Sequence, residues 1–256
     1  MFNFKTTNFI SALLVNILIL SKAGIFYWLL FLVTYIIIVL CGIFFIQLNF
    51  FFKSINSLPN KTNSIAITFD DGPAPNTLKV LEVLEKWKVK ATFFCIGSEV
   101  EKYPEIIKKI HQEGHLIGNH TFSHSNLFPM LGIKKINEDL LKASNTIANC
   151  IQNKPLLFRP PFGVTNPKIA KSVKMLGLVC IGWNKRSLDT VLKDGQVILN
   201  RVTKNLKSGD IILFHDNLKA TTQLLDQFLS VVSELGIECD RVDRILNIEA
   251  YEKIDS

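Results

Sequence analysis

Between residues 64 and 245, short apolar runs alternate with amphipathic stretches, and this alternation constrains the fold more than any other feature. The apolar runs have the length and composition of strands and cover 65–69, 91–96, 115–119, 156–159, 178–183, 210–215 and 237–242. Helical spacing of apolar residues predicts helices over 76–88, 104–113, 134–152, 167–176, 195–207 and 219–235. We therefore predict an α/β domain of about seven parallel strands. The pattern alone leaves a closed barrel and an open doubly wound sheet both possible.

The first 52 residues differ from the rest because they contain no Asp or Glu and only two Lys, Lys5 and Lys22. Residues 25–46 are nearly all apolar and reach the roughly 20 residues that a membrane-spanning helix needs. The apolar stretch 6–21 is of marginal length. We predict that residues 1–52 form a membrane anchor that precedes the α/β domain.

Three arrangements of this anchor fit the sequence. We favour two membrane helices that pair as a hairpin around residues 21–24, although the second stretch alone can span while the first lies along the interface. In the third arrangement, residues 6–20 are a signal peptide that is cut after 21–23. The polar, Pro-containing segment 53–63 is predicted to be a linker, and residues 246–256 a C-terminal tail.

The charge pattern excludes one class of partner. Two of the 29 Lys and Arg residues lie in the anchor, so the remainder of the chain carries 27 against 22 Asp and Glu. This excess is scattered without a basic block, and we predict no nucleic-acid binding. The five Cys residues are an odd number without metal-ligand spacing and predict no disulfide framework. No prediction of the oligomeric state follows.

Polar residues of the kinds used in catalysis follow five of the predicted strands. They stand at or just beyond the carboxyl ends of these strands: Asp70, Asp71, His120, His124, Arg159, Asp189 and His215. Parallel strands bring their carboxyl ends to one edge of the sheet, where barrel enzymes build their sites. We therefore expect these side chains to share one site.

Within this set, two groups indicate a metal site. His120 and His124 have the i, i+4 spacing that lets two imidazoles bind one ion from a single turn. Asp70 and Asp71 are adjacent carboxylates where a strand becomes a Gly-Pro turn, and like charges at close approach favour a cation between them. Two His and one Asp leave coordination positions open, which is the catalytic rather than the structural arrangement.

These residues resemble the NodB-like polysaccharide deacetylase family over residues 64–245. The resemblance rests on four motifs in the family's order: Thr68-Phe69-Asp70-Asp71-Gly72-Pro73, His120-Thr121-Phe122-Ser123-His124, Arg159-Pro160-Pro161-Phe162-Gly163 and Leu213-Phe214-His215. It implies a catalytic domain folded as a deformed (β/α) barrel that hydrolyses acetyl groups on sugars. The implied cofactor is a divalent metal, Zn²⁺ above all, with Co²⁺, Ni²⁺ or Mn²⁺ as alternatives.

The resemblance also implies a role for each matching residue. Asp71, His120 and His124 would bind the metal. The catalytic residues would be Asp70 as general base, His215 as general acid, Arg159 as the partner that orients Asp70, and Asp189 as a supporting residue. The Phe162 N–H would serve the oxyanion, and Leu213 would contact the substrate.

Two departures from the family's pattern concern the substrate pocket. Asp189 is followed by Thr190, where the family usually has Trp, so part of the usual pocket wall is expected to be missing. Phe162 stands where the family often has Tyr.

The predicted function is the metal-dependent removal of N-acetyl groups from a glycan of the N-acetylglucosamine or N-acetylmuramic acid type. Lys5, Lys22 and Lys53 give almost no positive-inside contrast, but we expect a membrane-anchored enzyme with an extracytoplasmic catalytic domain. One alternative is a Mg²⁺-dependent phosphoryl-transfer or receiver domain, which also uses paired acids after its first strand. The other is a non-catalytic glycan-binding protein on the same fold.

Overall fold

The computed structural model describes residues 3–59 and 63–253. Its α-helices are α1 Phe4–Leu20, α2 Ile25–Phe44, α3 Thr77–Lys86, α4 Gly97–Lys102, α5 Pro104–Gln112, α6 Ile133–Ile151, α7 Pro167–Met175, α8 Gly195–Thr203, α9 Lys219–Glu234 and α10 Val242–Leu246. Its strands are β1 Ser64–Asp70, β2 Thr92–Cys95, β3 Leu116–Asn119, β4 Asn153–Pro155, β5 Leu157–Phe158, β6 Val179–Cys180, β7 Lys185–Arg186, β8 Ile211–His215, β9 Glu238–Cys239 and β10 Tyr251–Lys253.

Seven parallel strands form one curled sheet in the order β6-β5-β3-β2-β1-β8-β7, and β9 pairs with the start of β1. Strand β1 lies at the centre and is buried from Ile65 onward, since β2 and β8 flank it and helices cover the sheet. The rings of Phe69 and Phe93 stack in this core with centroids 4.9 Å apart. The prediction of a deformed barrel of about seven parallel strands is confirmed.

Local sequence signals explain where several helices begin. Pro104 occupies the first turn of α5, where its missing N–H costs no helical hydrogen bond. The Asn166 side chain accepts hydrogen bonds from the N–H groups of Lys168 and Ile169 and so caps α7. Asp194 caps α8 in the same way.

The N-terminal helices form a hairpin. Helices α1 and α2 are joined by a short turn, and the Tyr35 hydroxyl donates to Asn8 Oδ1 across the pair at 3.0 Å. Helix α2 has 20 residues, about 30 Å of rise, and is long and apolar enough to cross a membrane. Helix α1 is shorter, with 17 residues.

The segment 53–63, predicted as a linker, contacts the sheet at several of its described residues. Ile55 forms a bridge with Ile181, just after β6, and Ser57 forms one with Asp210, just before β8, so the segment connects these two parts of the open sheet. Leu58 is buried there. Leu58 packs against the sheet, and the backbone of the segment pairs with strand edges that would otherwise lack partners. The polar composition of the segment did not indicate this packing. Residues 60–62 lie outside the described part.

Several short elements differ from the sequence prediction. Helix α4 and strand β7 are too short to carry a periodic signal. The predicted strand 237–242 is reduced to β9, and α10 follows it.

Part of the predicted C-terminal tail is also structured. Strand β10 pairs antiparallel with β4, and the Tyr251 hydroxyl accepts a hydrogen bond from the Ile117 N–H at 2.8 Å. Residues 254–256 of the predicted tail lie outside the described part.

Candidate active site

The acidic pair stands where β1 ends. Asp70 is still in the strand, level with Phe94 of β2 and His215 of β8. Asp71 has a φ of 73°, in the left-handed region, and this reversal of the backbone brings its carboxylate to the same side as Asp70. The strand alternation that would separate two neighbouring side chains is therefore broken at this point.

The three predicted metal ligands lie together. Asp71 Oδ1 is 3.5 Å from His120 Nε2 and 3.3 Å from His124 Nε2, and one potential ligand atom from each residue lies within 4.8 Å of the others. Burial opposes ionisation of Asp71, but the contact with His120 and the charges of the nearby His residues outweigh it. The pKa of Asp71 consequently falls to about 2. The carboxylate is therefore ionised at neutral pH and can act as an anionic ligand.

The hydrogen bonding of His120 prepares one ring nitrogen for a metal. Its Nδ1 lies 2.8 Å from the carbonyl oxygen of Arg159. A carbonyl only accepts, so Nδ1 carries the proton and donates it to Arg159 O. In the neutral ring this leaves a lone pair on Nε2, which faces Asp71 and His124. Metal-binding imidazoles commonly donate their other ring N–H to a carbonyl in this way, and the donor set fits a divalent ion.

The His120–His124 segment is an irregular turn rather than a helix. Thr121 and His124 both have positive φ, and Thr121 Oγ1 accepts from the His124 N–H at 3.1 Å. Asp139 on α6 fixes the turn from outside, because its carboxylate accepts hydrogen bonds from the N–H groups of Phe122 and Ser123 at 2.7 and 3.2 Å. Asp139 was not predicted from the sequence. It stands 15 residues beyond the motif in an amphipathic helix, where it resembles any other residue of the polar face.

Arg159 lies fully buried beneath the acidic pair. Its Nη1 donates to Asp70 Oδ1 at 2.7 Å and to the Thr68 hydroxyl at 2.8 Å. Its Nε and Nη2 donate to the carbonyls of Ile181 and Gly182 at 3.0 and 2.8 Å. These contacts hold the guanidinium in one orientation and pair the Asp70 charge on the side away from the metal ligands.

His215 forms a second buried pair with Asp189. His215 Nδ1 is 2.7 Å from Asp189 Oδ1, and the His215 backbone N–H donates to Asp189 Oδ2 at 2.9 Å. The Thr221 hydroxyl also contacts Asp189 Oδ2. Burial lowers the pKa of His215, but the hydrogen bond and charge of Asp189 outweigh it, so the net shift is upward. The structure thus brings Asp189 to His215 although 26 residues separate them.

Asp216, next to His215, was not predicted. It is fully buried, accepts a hydrogen bond from the Thr77 hydroxyl, and has its pKa raised to about 7 by burial. Its carboxylate packs so closely against Gly72 that any side chain at this position would collide with it. This contact explains why glycine follows the acidic pair.

The site opens into a pocket of about 160 Å³. Besides the acidic and His residues, its walls are formed by Phe162, Gly163, Trp183, Arg186, Thr190 and Leu213. Phe162 has a φ of 59° and is 46 % exposed, with its ring 4.9 Å from that of His124. Leu213 is buried in the wall.

An aromatic wall exists although no Trp follows Asp189. Trp183 lines the pocket and packs so closely on Gly163 that a side chain at Gly163 would collide with its ring. The sequence contains Trp183, but its place in the wall depends on the path of residues 181–184 between β6 and β7, which no periodicity predicts. Arg186 was missed for the same reason.

Comparison with known proteins identifies the family of the chain. The family model described as Polysaccharide deacetylase matches residues 57–181. A peptidoglycan-N-acetylglucosamine deacetylase of Bacillus cereus is 38 % identical over 184 residues, which are 70 % of this chain and 84 % of that protein. The chain belongs to the polysaccharide deacetylase family. The predicted resemblance and the predicted class of enzyme, a polysaccharide deacetylase, are confirmed.

Two further similar proteins show how much of the chain the family covers. The peptidoglycan-N-acetylglucosamine deacetylase PgdA of Listeria monocytogenes is 31 % identical over 204 residues, which are 77 % of this chain but only 43 % of the longer relative. The crystal structure of a peptidoglycan N-acetylglucosamine deacetylase matches with a TM-score of 0.73 and 29 % identity, over 77 % of this chain and 94 % of the other. The polysaccharide deacetylase fold therefore accounts for most of the chain beyond the N-terminal hairpin.

Proposed function

We propose that this polysaccharide deacetylase is a metal-dependent hydrolase that removes N-acetyl groups from amino sugars of a glycan of the N-acetylglucosamine or N-acetylmuramic acid type. The observation that carries the proposal is that the Asp71–His120–His124 cluster shares one pocket with Asp70 and His215, each of which has a buried partner, Arg159 and Asp189 respectively. The substrates named for the relatives, peptidoglycan and chitooligosaccharides, are N-acetylated glycans of this kind.

Asp71, His120 and His124 are proposed to hold the metal. Two imidazole nitrogens and one carboxylate are the ligands of many catalytic zinc sites, and Mg²⁺ prefers oxygen ligands. Zn²⁺ is therefore the proposed ion, with Co²⁺, Ni²⁺ or Mn²⁺ as alternatives. When bound, such an ion polarises the acetyl carbonyl and lowers the pKa of water.

Asp70 is proposed to be the general base. Its Oδ1 is held by Arg159, and its Oδ2 faces the metal ligands, 3.8 Å from His120 Nε2. Asp70 can take the proton of a water that attacks the acetyl carbonyl from this side. The Phe162 N–H donates to the oxyanion as it develops, and Leu213 forms the apolar wall beside the acetyl group.

His215 is proposed to be the general acid. Its Nδ1–H donates to Asp189, which leaves Nε2–H of the protonated ring to supply a proton to the departing sugar amine. Without this proton the amine would have to leave as an anion. The upward shift of the His215 pKa keeps the acid form present at higher pH than a free imidazole would allow.

The Asp189→Asn variant tests the support that His215 receives. We expect kcat to fall roughly 10–100-fold, as for other residues that orient a reacting group. The pKa of His215 should fall when the carboxylate is lost, so the alkaline loss of activity should begin at lower pH than in the wild type. The measurement is kcat against pH, with Asp194→Asn as the control because Asn also caps helices well. Wild-type activity and an unchanged alkaline limb would leave Asp189 without this role.

The proposed domain organisation places a membrane anchor at 1–52, the segment 53–63 next, the catalytic domain at 64–245 and a C-terminal segment at 246–256. We propose that α1 and α2 hold the enzyme in the membrane with the catalytic domain on the extracytoplasmic side. The support is the uncharged, exposed surface of α2.

The anchor is tested by washing membranes with carbonate at high pH. Full-length protein is expected to stay in the membrane fraction. The double variant Val33→Arg/Ile37→Arg should reduce this retention, because each Arg at a helix centre costs about 2.5–3.5 kcal/mol of insertion free energy. Release of the wild type by carbonate would contradict a spanning α2.

The two rival functions receive less support. A Mg²⁺-dependent phosphoryl-transfer domain would leave His120, His124 and His215 without a purpose. A non-catalytic glycan-binding protein would not need both a buried Asp–Arg pair and a buried Asp–His pair beside the metal cluster. Acetate release from N-acetylated glycans distinguishes the deacetylase from both rivals, and the identity of the bound metal separates it further from the Mg²⁺-dependent domain.

A further inference from the structure

We propose that the natural substrate is an N-acetylated sugar joined through phosphate or pyrophosphate to a membrane lipid. This inference rests on the proposed deacetylase function and on the proposed anchor. Two independent features carry it: the way in which α2 ends against the pocket wall, and an unpaired cation inside the pocket.

The last turn of α2 is bonded to the loop that forms one pocket wall. The Thr165 N–H donates to Ile43 O, and the Thr165 hydroxyl donates to Gly42 O, both at 2.9 Å. Thr165 is buried and follows Phe162 of the pocket wall by three residues. Three residues of chain span at most about 11 Å, so the end of the proposed span lies within this reach of the pocket wall.

A second contact, from the turn that follows α2, reaches a neighbouring part of the pocket wall. The Gln47 side-chain amide donates to the Trp183 carbonyl at 3.0 Å, and Trp183 lines the pocket. Ile46 is buried close to Gly182. Docking to the catalytic domain thus begins inside α2, before any linker residue.

These contacts restrict the distance between the pocket and the membrane. A flexible linker would let the catalytic domain move away from the membrane by about 5–6 Å times the square root of its length in residues. Here the contacts of Gly42, Ile43 and Gln47 remove that freedom. The pocket is therefore held next to the membrane surface, where it meets sugars carried by lipids before it meets glycan further away.

Arg186 is the unpaired cation. It lines the pocket, and its buried Nε has no hydrogen-bond partner within the described residues. Its guanidinium lies 5.8 Å from the Trp183 ring, and no described carboxylate forms an ion pair with it. The neighbouring Lys185 is already engaged by Lys204 O and Asp210. Arg186 is thus left to bind an anionic group of the substrate.

A guanidinium matches phosphate oxygens in a bidentate geometry, and its hydrogen bonds to charged groups are stronger than neutral ones. A carboxylate on the sugar or on an attached peptide has the same chemistry. We assign the group to phosphate because the pocket is held at the membrane, where a lipid-linked sugar carries its phosphate directly beside the sugar ring. Arg186 would then select this substrate rather than take part in bond cleavage.

The test compares four substrates with metal-loaded full-length protein in phosphatidylcholine vesicles. They are N-acetylglucosamine on a long polyprenyl pyrophosphate, the same head group on a short soluble prenyl chain, a neutral N-acetylated chito-tetraose, and a soluble glycan with N-acetylmuramic acid carboxylates. Acetate release gives kcat/KM for each. We expect kcat/KM to be at least tenfold higher for the long polyprenyl substrate than for the chito-tetraose.

Variants of Arg186 test the recognition. Arg186→Gln should lower kcat/KM for the pyrophosphate substrates at least tenfold more than for the chito-tetraose, and Arg186→Lys should restore part of this difference. Lys193→Gln removes an exposed charge from the same segment outside the pocket and should change no ratio. Thermal unfolding of each variant separates loss of recognition from loss of fold.

Four outcomes would overturn the inference. Equal values of kcat/KM for the long and the short prenyl substrate would show that the pocket is not restricted to the membrane surface. Equal effects of Arg186→Gln on all substrates would show that Arg186 does not bind an anionic group of the substrate. A larger effect of Arg186→Gln on the muramic acid glycan than on the pyrophosphates would assign the anion to a carboxylate. Faster reaction with the chito-tetraose would contradict a lipid-linked substrate while leaving the proposed deacetylation intact. Absence of acetate from all four would instead reject the proposed function itself.

Discussion

Asp70→Asn is expected to lower kcat on the order of 10²–10⁴-fold, the usual effect of losing a general base. Asn is nearly isosteric with Asp and still accepts the hydrogen bond from Arg159 Nη1, but it cannot take a proton at neutral pH. Asp70 lies beside the metal cluster and is not proposed as a ligand. The variant should therefore retain bound metal while it loses turnover.

Asp71→Asn is the matched control, because it makes the same chemical change one residue away. Asp71 Oδ1 lies 3.3 Å from His124 Nε2 and 3.5 Å from His120 Nε2, so loss of its charge should weaken metal binding. Excess metal should restore part of its activity. Metal content and kcat are measured for both variants; if Asp70→Asn loses the metal and Asp71→Asn retains it, the roles of base and ligand are reversed.

Arg159→Met is expected to destabilise the fold as well as to abolish most activity. The substitution leaves the Asp70 carboxylate buried without its partner and removes donors from Thr68 Oγ1 and the carbonyls of Ile181 and Gly182. Removing one partner of a buried ion pair costs about 3–5 kcal/mol of unfolding free energy. In a domain of this size, Tm should fall on the order of 10 °C.

The control for Arg159→Met is Arg244→Met. Arg244 forms an exposed ion pair with Asp240 at 3.4 Å, and pairs of this kind contribute about 0–1 kcal/mol. Both proteins are unfolded thermally in the same detergent. Equal Tm values for the two variants would mean that the buried Asp70–Arg159 pair does not hold the site together.

Most of the fold could be predicted because its strands are short, continuous apolar runs. The predicted run 65–69 is the core of β1, and 210–215 contains β8, since residues buried on both faces of a parallel sheet need no polar alternation. Strand β7 could not be found in this way. It contains Lys185 and Arg186, two charged residues at an edge of the sheet, and its pairing with β8 is set by tertiary contacts.

The same distinction applies to the site. Residues at the carboxyl ends of β1, β3 and β8 could be expected to meet, because strand direction alone brings those ends together. Asp139 and Trp183 reach the site through a helix face and an irregular crossing, and neither position has a signature of its own. The contacts of Gln47 and Thr165 are longer in range still, and no local pattern in the sequence indicates that α2 ends on the pocket wall.

We propose that acetyl hydrolysis by this enzyme depends on one divalent ion held by Asp71, His120 and His124. The most direct measurement is acetate release from N-acetylated chito-oligosaccharide by chelator-treated full-length protein, titrated with Zn²⁺, beside His120→Ala and His124→Ala. We predict that the treated wild type is inactive, that activity returns in proportion to bound Zn²⁺ up to one ion per chain, and that neither variant binds the ion stoichiometrically. Full turnover by protein stripped of metal, or stoichiometric metal and full activity in either variant, would contradict this account.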